Sequence, residues 1–261
     1  MNADMPTPRA PEQILSLRDV SKRFGAVRAL SGIDFDVHAG EVVAIVGDNG
    51  AGKSTLVKIL SGVHPPDGGT ITFYGSPTHL SSPTDARDLG IATVFQDLAL
   101  CDSLDVVSNL WLGRELTRGG SLDEVEMEQR SWSLLRELRA RVQSVRVPVA
   151  ALSGGQRQTV AIARSLIGDP SVVILDEPTA ALGVSQTAEV LNLIERLRER
   201  GLGVVLISHN LSDIFRVADR IVVLRLGNLV ANFVTANVTP DDVVAAITGA
   251  HDTTSQEPTD A

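Results

Sequence analysis

The sequence has 261 residues and a formal net charge of -9, from 32 acidic and 23 basic side chains. This charge argues against a nucleic-acid surface, which needs a basic patch, so we expect no nucleic-acid partner. Cys101 is the only cysteine, which excludes an intrachain disulfide, and no apolar run approaches the roughly 20 residues that span a bilayer.

The two ends of the sequence, 1–13 and 250–261, are polar and lack hydrophobic periodicity. We therefore expect disordered tails around one domain over 14–249. The first stretch also lacks the apolar segment of a secretory signal, which predicts a cytosolic protein. Alternating apolar and polar residues in 14–24 and 30–37 predict antiparallel strands at the edge of a sheet.

The stretch after the apolar run Val42–Val46 has the order of strand, glycine-rich loop and helix that a phosphate-binding P-loop requires. Glycines let backbone N–H groups converge on phosphate oxygens at a helix N-terminus. Lys53 would reach the β- and γ-phosphates, and the Ser54 hydroxyl would hold Mg²⁺. The alternative is a glycine-rich turn that binds nothing. The predicted ATP contacts are Gly47, Asp48, Asn49, Gly50, Ala51, Gly52, Lys53, Ser54 and Thr55.

A predicted strand at 91–95 ends at Gln96, in the position where ligand contacts gather in α/β sheets. The alternative is a surface loop residue. From about 98 to 168 the apolar spacing becomes helical, which predicts an inserted helical lobe. Within it, Ser121 to Glu124 has the pattern of a capping box at a helix start.

A second candidate anion site lies at the start of a later helix. Its predicted contacts are Ser153, Gly154, Gly155 and Gln156, since glycines beside a helix N-terminus form a nest of N–H groups. By itself, however, Ser-Gly-Gly is also an ordinary flexible turn.

Two carboxylates end the continuous apolar run Val172–Leu175, which has the pattern of a buried parallel strand. Asp176 suits a direct or indirect contact with Mg²⁺, and Glu177 suits activation of a water that attacks the γ-phosphate. The alternative is an acidic pair on the surface.

Two further residues have open interpretations. His209 follows the buried run 204–207 and could hydrogen-bond a γ-phosphate, although a lone histidine there is also ordinary polar surface. Phe24 ends the first predicted strand and is either a core residue or a ring on which adenine stacks. The sequence holds one P-loop and no internal repeat, so one nucleotide site per chain is expected.

Taken together and in this order, six motifs make the sequence resemble the ATP-binding subunits of ABC transporters over about residues 14–249. The resemblance implies an α/β fold: a P-loop NTPase core whose mixed sheet carries an antiparallel β subdomain at its edge, with an α-helical subdomain inserted at about 98–168. The six motifs are Phe24, the P-loop, Gln96, Leu152–Gln156, Asp176-Glu177 and His209.

The resemblance also assigns roles to these residues. It implies adenine stacking on Phe24 and closure of two nucleotide domains face to face, with Ser153 and Gly155 of one chain touching the γ-phosphate bound at Lys53 of the other. The implied catalytic residues are Lys53, Gln96, Glu177 and His209. The implied Mg²⁺ ligands are Ser54, Gln96 and Asp176.

A finer resemblance, in 82–91, 94–98 and 112–115, is to bacterial importers of the ribose, xylose and fructose type. It implies an ATP-hydrolysing subunit that powers monosaccharide import from the cytoplasmic face of the membrane. The implied partners are permease subunits, indirectly an extracytoplasmic solute-binding protein, and a second copy or a homologous ATPase. The sequence departs from the family at Gly183, where an aspartate is usual.

In this family the segment after Gln96, here 97–110, lies in a cleft that receives a short helix of the permease. Leu98, Leu104 and Val107 are apolar without a clear strand or helix period, which predicts an exposed docking groove. The alternative is that they pack the helical lobe onto the core.

The sequence bears on three other functions. A soluble ABC-type ATPase of DNA repair or translation would usually add coiled coils, a second ATPase domain or basic arms, which this sequence lacks. A non-hydrolysing regulatory module is disfavoured by the complete catalytic set. An importer subunit for a non-sugar solute remains open, because the permease and the binding protein choose the solute.

Overall fold

A computed structural model describes residues 12–250, and its framework is a pair of β-sheets. The strands are β1 (Gln13–Phe24), β2 (Val27–His38), β3 (Val42–Val46), β4 (Gly68–Phe73), β5 (Ser76–Thr78), β6 (Ile91–Val94), β7 (Thr117–Arg118), β8 (Ser121–Leu122), β9 (Val172–Asp176), β10 (Gly203–Ile207), β11 (Arg220–Arg225) and β12 (Asn228–Val234). The helices are α1 (Lys53–Leu60), α2 (Pro83–Asp88), α3 (Val106–Trp111), α4 (Glu124–Glu137), α5 (Gly154–Ser165), α6 (Val184–Glu199), α7 (Leu211–Val217) and α8 (Pro240–Thr248).

The large sheet has the order β12-β11-β3-β10-β9-β6 and is mixed. The four pairings from β11 to β6 are parallel, and the edge strand β12 pairs antiparallel with β11. Every residue of β3 and β10 is buried, as continuous apolar runs in a doubly covered sheet must be.

The two faces of this sheet are covered by different parts of the chain, because side chains alternate along a strand. Val43 and Ile45 of β3 face a core shared with α1 and the strands β1 and β2. Val42 and Ala44 face the opposite core, which α5, α6, α7 and the helical lobe close.

The second sheet is antiparallel, with the order β2-β1-β4-β5. Both sheets and the helices between 98 and 168 confirm the predicted fold class. Within residues 12–250, no helix has the length and apolar character to cross a bilayer. The predicted tails lie almost wholly outside the described residues, and Gln13 is already the first residue of β1.

The helical lobe corrects one local prediction. The cap of α4 is Asp123, whose carboxylate accepts the N–H of Glu126, and not Ser121. Ser121 and Leu122 instead pair with Thr117 and Arg118 in a small hairpin. The capping-box pattern predicted the wrong cap because Asp123, two residues after Ser121, offers a carboxylate where the chain leaves the hairpin.

Candidate nucleotide site

The candidate site lies where four parallel strands of the large sheet end. In register, Ile207 of β10 pairs with Ile45 of β3 and with Asp176 of β9, and Val94 of β6 pairs with Leu175. The P-loop, Glu177, His209 and Gln96 each follow one of these strands, so the fold brings the predicted residues to one edge. Ligands of open α/β sheets bind at this edge.

The P-loop backbone is shaped by glycines that no other residue could replace. Gly47 has φ 149°, and a Cβ there would lie 2.1 Å from the carbonyl oxygen of Leu224. Gly52 has φ 109°, and its Cβ would lie 2.8 Å from the carbonyl oxygen of Ala29. The loop is therefore packed closely between β11 and β2.

Lys53 is held inside this loop. Its Nζ donates to the carbonyl oxygens of Gly47 at 2.5 Å and Asp48 at 3.0 Å. The helix α1 that begins at Lys53 has Gly52 as its cap, no side-chain cap and no acidic residue in its first turn. Its N-terminal N–H groups thus remain available to an anion, and an ammonium group lies beside them.

Asp176 and Ser54 fit the donors expected around Mg²⁺. The Asp176 carboxylate is half-buried and accepts no hydrogen bond from residues 12–250, and the Ser54 hydroxyl is exposed on the first turn of α1. The described residues contain no cluster of three or more metal-ligating side chains. Mg²⁺ in nucleotide sites needs only one or two protein oxygens, because phosphates and water supply the rest.

Burial, and secondarily the neighbouring Glu177 carboxylate, raises the pKa of Asp176, while Lys53 and Lys58 oppose the shift. A carboxyl group whose pKa is higher in the folded state binds its proton more tightly there. Its contribution to stability is therefore present at acid pH and lost as pH rises through the folded-state pKa.

We accordingly expect Asp176→Asn to raise the melting temperature of the nucleotide-free chain at neutral pH while weakening Mg²⁺-dependent ATP binding. The gain should shrink as pH falls and the native carboxylate takes up its proton. Thermal melts over pH 4 to 8 check this, with the exposed Glu199→Gln as control. A variant less stable than the native chain at neutral pH would contradict it.

Glu177 and His209 face each other across the ends of β9 and β10. His209 Nδ1 lies 2.8 Å from Glu177 Oε2, but the approach is not aligned as a hydrogen bond. That buried oxygen consequently has no hydrogen-bond partner among the described residues. This carboxylate oxygen is therefore available to accept a hydrogen bond from a water molecule. The His209 side chain is 77% exposed and the Glu177 side chain 16%.

Phe24 and Gln96 lie at the margins of the site, and both are exposed. The Phe24 ring meets His64 edge to face at 5.3 Å between centroids, and Lys22 Nζ lies 5.6 Å from its centre. Phe24 ends β1 opposite Val27, in the hairpin whose second strand contacts Gly52. Phe24 thus belongs to the hairpin that borders the P-loop at Gly52.

The second predicted nest begins α5. Ser153 caps the helix by accepting the N–H of Gln156, and Gln156 Oε1 accepts the N–H of Ser153. A Cβ on Gly154 would lie 3.0 Å from Leu182, and one on Gly155 would lie 3.0 Å from Gln186. The two glycines thus allow α5 to pack closely against the start of α6.

Sequence reasoning missed one neighbour of the P-loop, the tip of the β11–β12 hairpin. The Gly227 N–H donates to the carbonyl of Ala51, and its own carbonyl accepts the N–H of Ser31. A glycine in this position is typical of a hairpin turn, but the local sequence gives no sign of this contact, which joins residues far apart in the chain.

The predicted exposed docking groove in 97–110 is partly wrong. Val106 and Val107 are buried and belong to α3, so they pack the lobe and are not an exposed groove. A cavity of about 780 Å³ does open beside this segment, between the core and the lobe. Its lining includes the exposed Phe95 and Leu112 and the guanidinium of Arg164, which donates to the carbonyls of Leu98 and Ala99.

Comparison with known proteins gives consistent results. A family model described as ABC transporter matches residues 30–180. A xylose/arabinose import ATP-binding protein of Sulfolobus acidocaldarius is 48% identical over 217 residues, covering 83% of this chain and 86% of that protein. A fructose import ATP-binding protein of Rhizobium meliloti is 47% identical over 249 residues, covering 92% and 96%. A dimeric ATP-binding cassette in a post-hydrolysis state with ADP and Pi superposes with a TM-score of 0.70 at 26% identity, covering 85% and 99%.

Proposed function

The chain belongs to the ABC transporter family, and on that premise we propose that it is the ATP-binding and ATP-hydrolysing subunit of a monosaccharide importer. The observation that carries the proposal is the meeting of Glu177, Asp176 and Lys53 at the shared strand edge, where one Glu177 carboxylate oxygen accepts no hydrogen bond from residues 12–250. The names of the two relatives, both sugar import ATP-binding proteins, support the choice of solute class over a role in DNA repair or translation.

In this proposal each residue has one task. Lys53 leaves its two carbonyl partners and neutralises charge on the β- and γ-phosphates, while the N–H groups of α1 hold their oxygens. Glu177 orients the attacking water, and His209 and Gln96 contact the reacting end of the nucleotide. Phe24 stacks on adenine. Mg²⁺, when bound, would be held by Ser54, Asp176 and Gln96 and would neutralise the developing phosphate charge.

The second predicted anion site, at the start of α5, supports a proposal for how two chains assemble. We place Ser153, Gly154, Gly155 and Gln156 against the γ-phosphate bound by a second copy or a homologous subunit, in a dimer attached to permease subunits at the cytoplasmic face of the membrane. The dimeric cassette with ADP and Pi supports this arrangement. An extracytoplasmic binding protein would deliver the solute to the permease.

The cavity between core and lobe is the proposed permease site. Its exposed Leu112 and Phe95 offer apolar contact. Its half-buried arginines, Arg114 and Arg164, favour a docking segment with an acidic side chain or free carbonyl groups.

Leu112→Glu should abolish co-purification with the permease and sugar uptake in cells, while ATP binding by the isolated subunit stays within about twofold of normal. Leu122→Glu is the matched control, because Leu122 is a similarly exposed leucine of the same lobe outside the cavity. Normal uptake by Leu112→Glu would move the docking site elsewhere.

The solute class has its own test. Deletion of the gene should remove uptake of one monosaccharide and leave uptake of other solutes unchanged, and the native chain should restore it. If uptake of every sugar stays normal after deletion and uptake of another solute is lost, the ATPase role stands and the assignment to sugar import is wrong.

A further inference from the structure

Two hydrogen bonds join the segment that carries Glu177 to the segment that carries His209. The Glu177 N–H donates to the carbonyl of Ile207 at 2.9 Å, just before His209 in the chain. Beyond both residues, the Thr179 hydroxyl donates to Asp213 Oδ2 at 2.8 Å. The two bonds lie on either side of the Glu177 and His209 pair, and the second joins residues 34 positions apart.

The β9–β10 pairing and the first bond fix the backbone at Glu177, and the second bond adds a restraint on the two segments that follow Glu177 and His209. Glu177 has φ 51° and Ala181 has φ 59°, both in the left-handed region that side chains rarely adopt. The His209 side chain is largely exposed and makes no hydrogen bond to residues 12–250. Its position is therefore set by the backbone on either side of it.

Asp213 is well placed to supply this restraint. It is buried in the first turn of α7, where the Asn210 side chain accepts the N–H groups of Ser212 and Asp213 and so caps the helix. Asn210 in turn donates its own N–H to the hydroxyl of Ser208. The backbone that carries Asp213 is thus held in place, and the Asp213 carboxylate accepts the hydrogen bond that the Thr179 hydroxyl donates.

We propose that Thr179 and Asp213 are positioning residues, whose hydrogen bond holds the Glu177 carboxylate against the His209 imidazole during ATP hydrolysis. This inference rests on the proposed hydrolytic function of the same site. Catalytic groups need placement within about 0.5 Å, and a 1 Å error can cost about 100-fold in rate. The Thr179–Asp213 hydrogen bond joins the segment after Glu177 to the segment after His209, so it restrains both side chains.

The test uses the full chain and three substitutions. Thr179→Val keeps the shape and removes the donor, Thr179→Ser keeps the donor, and Ser131→Ala removes a buried hydroxyl of the helical lobe that bonds Met127 and Trp111. Thr179→Val should lower kcat about tenfold to 100-fold while KM for MgATP changes less than about twofold. Thr179→Ser should recover most of kcat, and Ser131→Ala should lower the melting temperature without lowering kcat.

A second measurement separates positioning from general damage. In single-turnover hydrolysis, adding Thr179→Val to Glu177→Gln should cost no further rate, because the group being positioned is already gone. An equal additional loss in that background would overturn the proposal, and so would a kcat for Thr179→Val within twofold of the native chain.

Failure of the proposed function has a different signature. If the native chain and Glu177→Gln hydrolyse ATP equally, with or without permease, the catalytic assignment fails and the positioning role falls with it. If the native chain is active, Glu177→Gln is inactive and Thr179→Val is normal, only the positioning role fails.

Discussion

Glu177→Gln should reduce ATP turnover by at least about 100-fold while leaving MgATP binding within about twofold of the native chain. Glutamine has the size of glutamate but loses the anionic oxygen that accepts no hydrogen bond within the described part of the chain. The attacking water would lose its base and its orientation together. Phosphate release by the full chain and binding of a fluorescent ATP analogue check the two halves of this result.

The same variant should also accumulate as a dimer when ATP and Mg²⁺ are present, because the nucleotide that joins the two nests is no longer consumed. Light scattering on a sizing column measures this shift. Glu199→Gln is the control, since Glu199 is an exposed carboxylate at the end of α6. Near-native hydrolysis by Glu177→Gln would remove Glu177 from the mechanism.

Lys53→Ala should weaken ATP binding by about tenfold to 100-fold, the usual loss when a charge-assisted hydrogen bond is removed. The ammonium group lies inside the P-loop, on the carbonyls of Gly47 and Asp48, and in the proposed mechanism it exchanges these two acceptors for phosphate oxygens. Titration of the full chain with a fluorescent ATP analogue gives the dissociation constant.

Lys58→Ala separates this effect from a general loss of positive charge. Lys58 is exposed on the same helix, near its C-terminal end, and should leave the dissociation constant within about threefold. Equal weakening by both substitutions would mean that Lys53 acts only through the net charge, which would contradict its placement on the phosphates.

The cleft variant Leu112→Glu and the Asp176→Asn variant test other parts of the same protein. The first separates permease docking from nucleotide binding, and the second separates stability from function. Asp176 lowers the stability of the empty site at neutral pH because its charge is partly buried. A ligand that pairs with the carboxylate would offset that cost.

The sequence alone determined the elements whose signals are local. Val42–Val46, the glycine-rich loop and α1 are contiguous, so their periodicity and spacing predicted the strand, the loop and the helix together. The caps of α2 and α8, Ser82 and Thr239, also depend on local signals, because a cap needs only side chains a few residues away. The six-residue α3 was missed, because it completes fewer than two turns and lacks the Ser-Pro start of the equally short α2.

Only the tertiary structure decided which distant groups meet. It pressed Gly47 against β11, joined Gly227 to Ala51 and placed Thr179 on Asp213, and none of these contacts has a periodic signal. It also buried Val107, for which the sequence allowed two interpretations, a packed residue of the lobe or an exposed residue of the docking groove. Such contacts arise when sheets and helices pack in three dimensions, so they depend on strand order and register, which local sequence patterns do not contain.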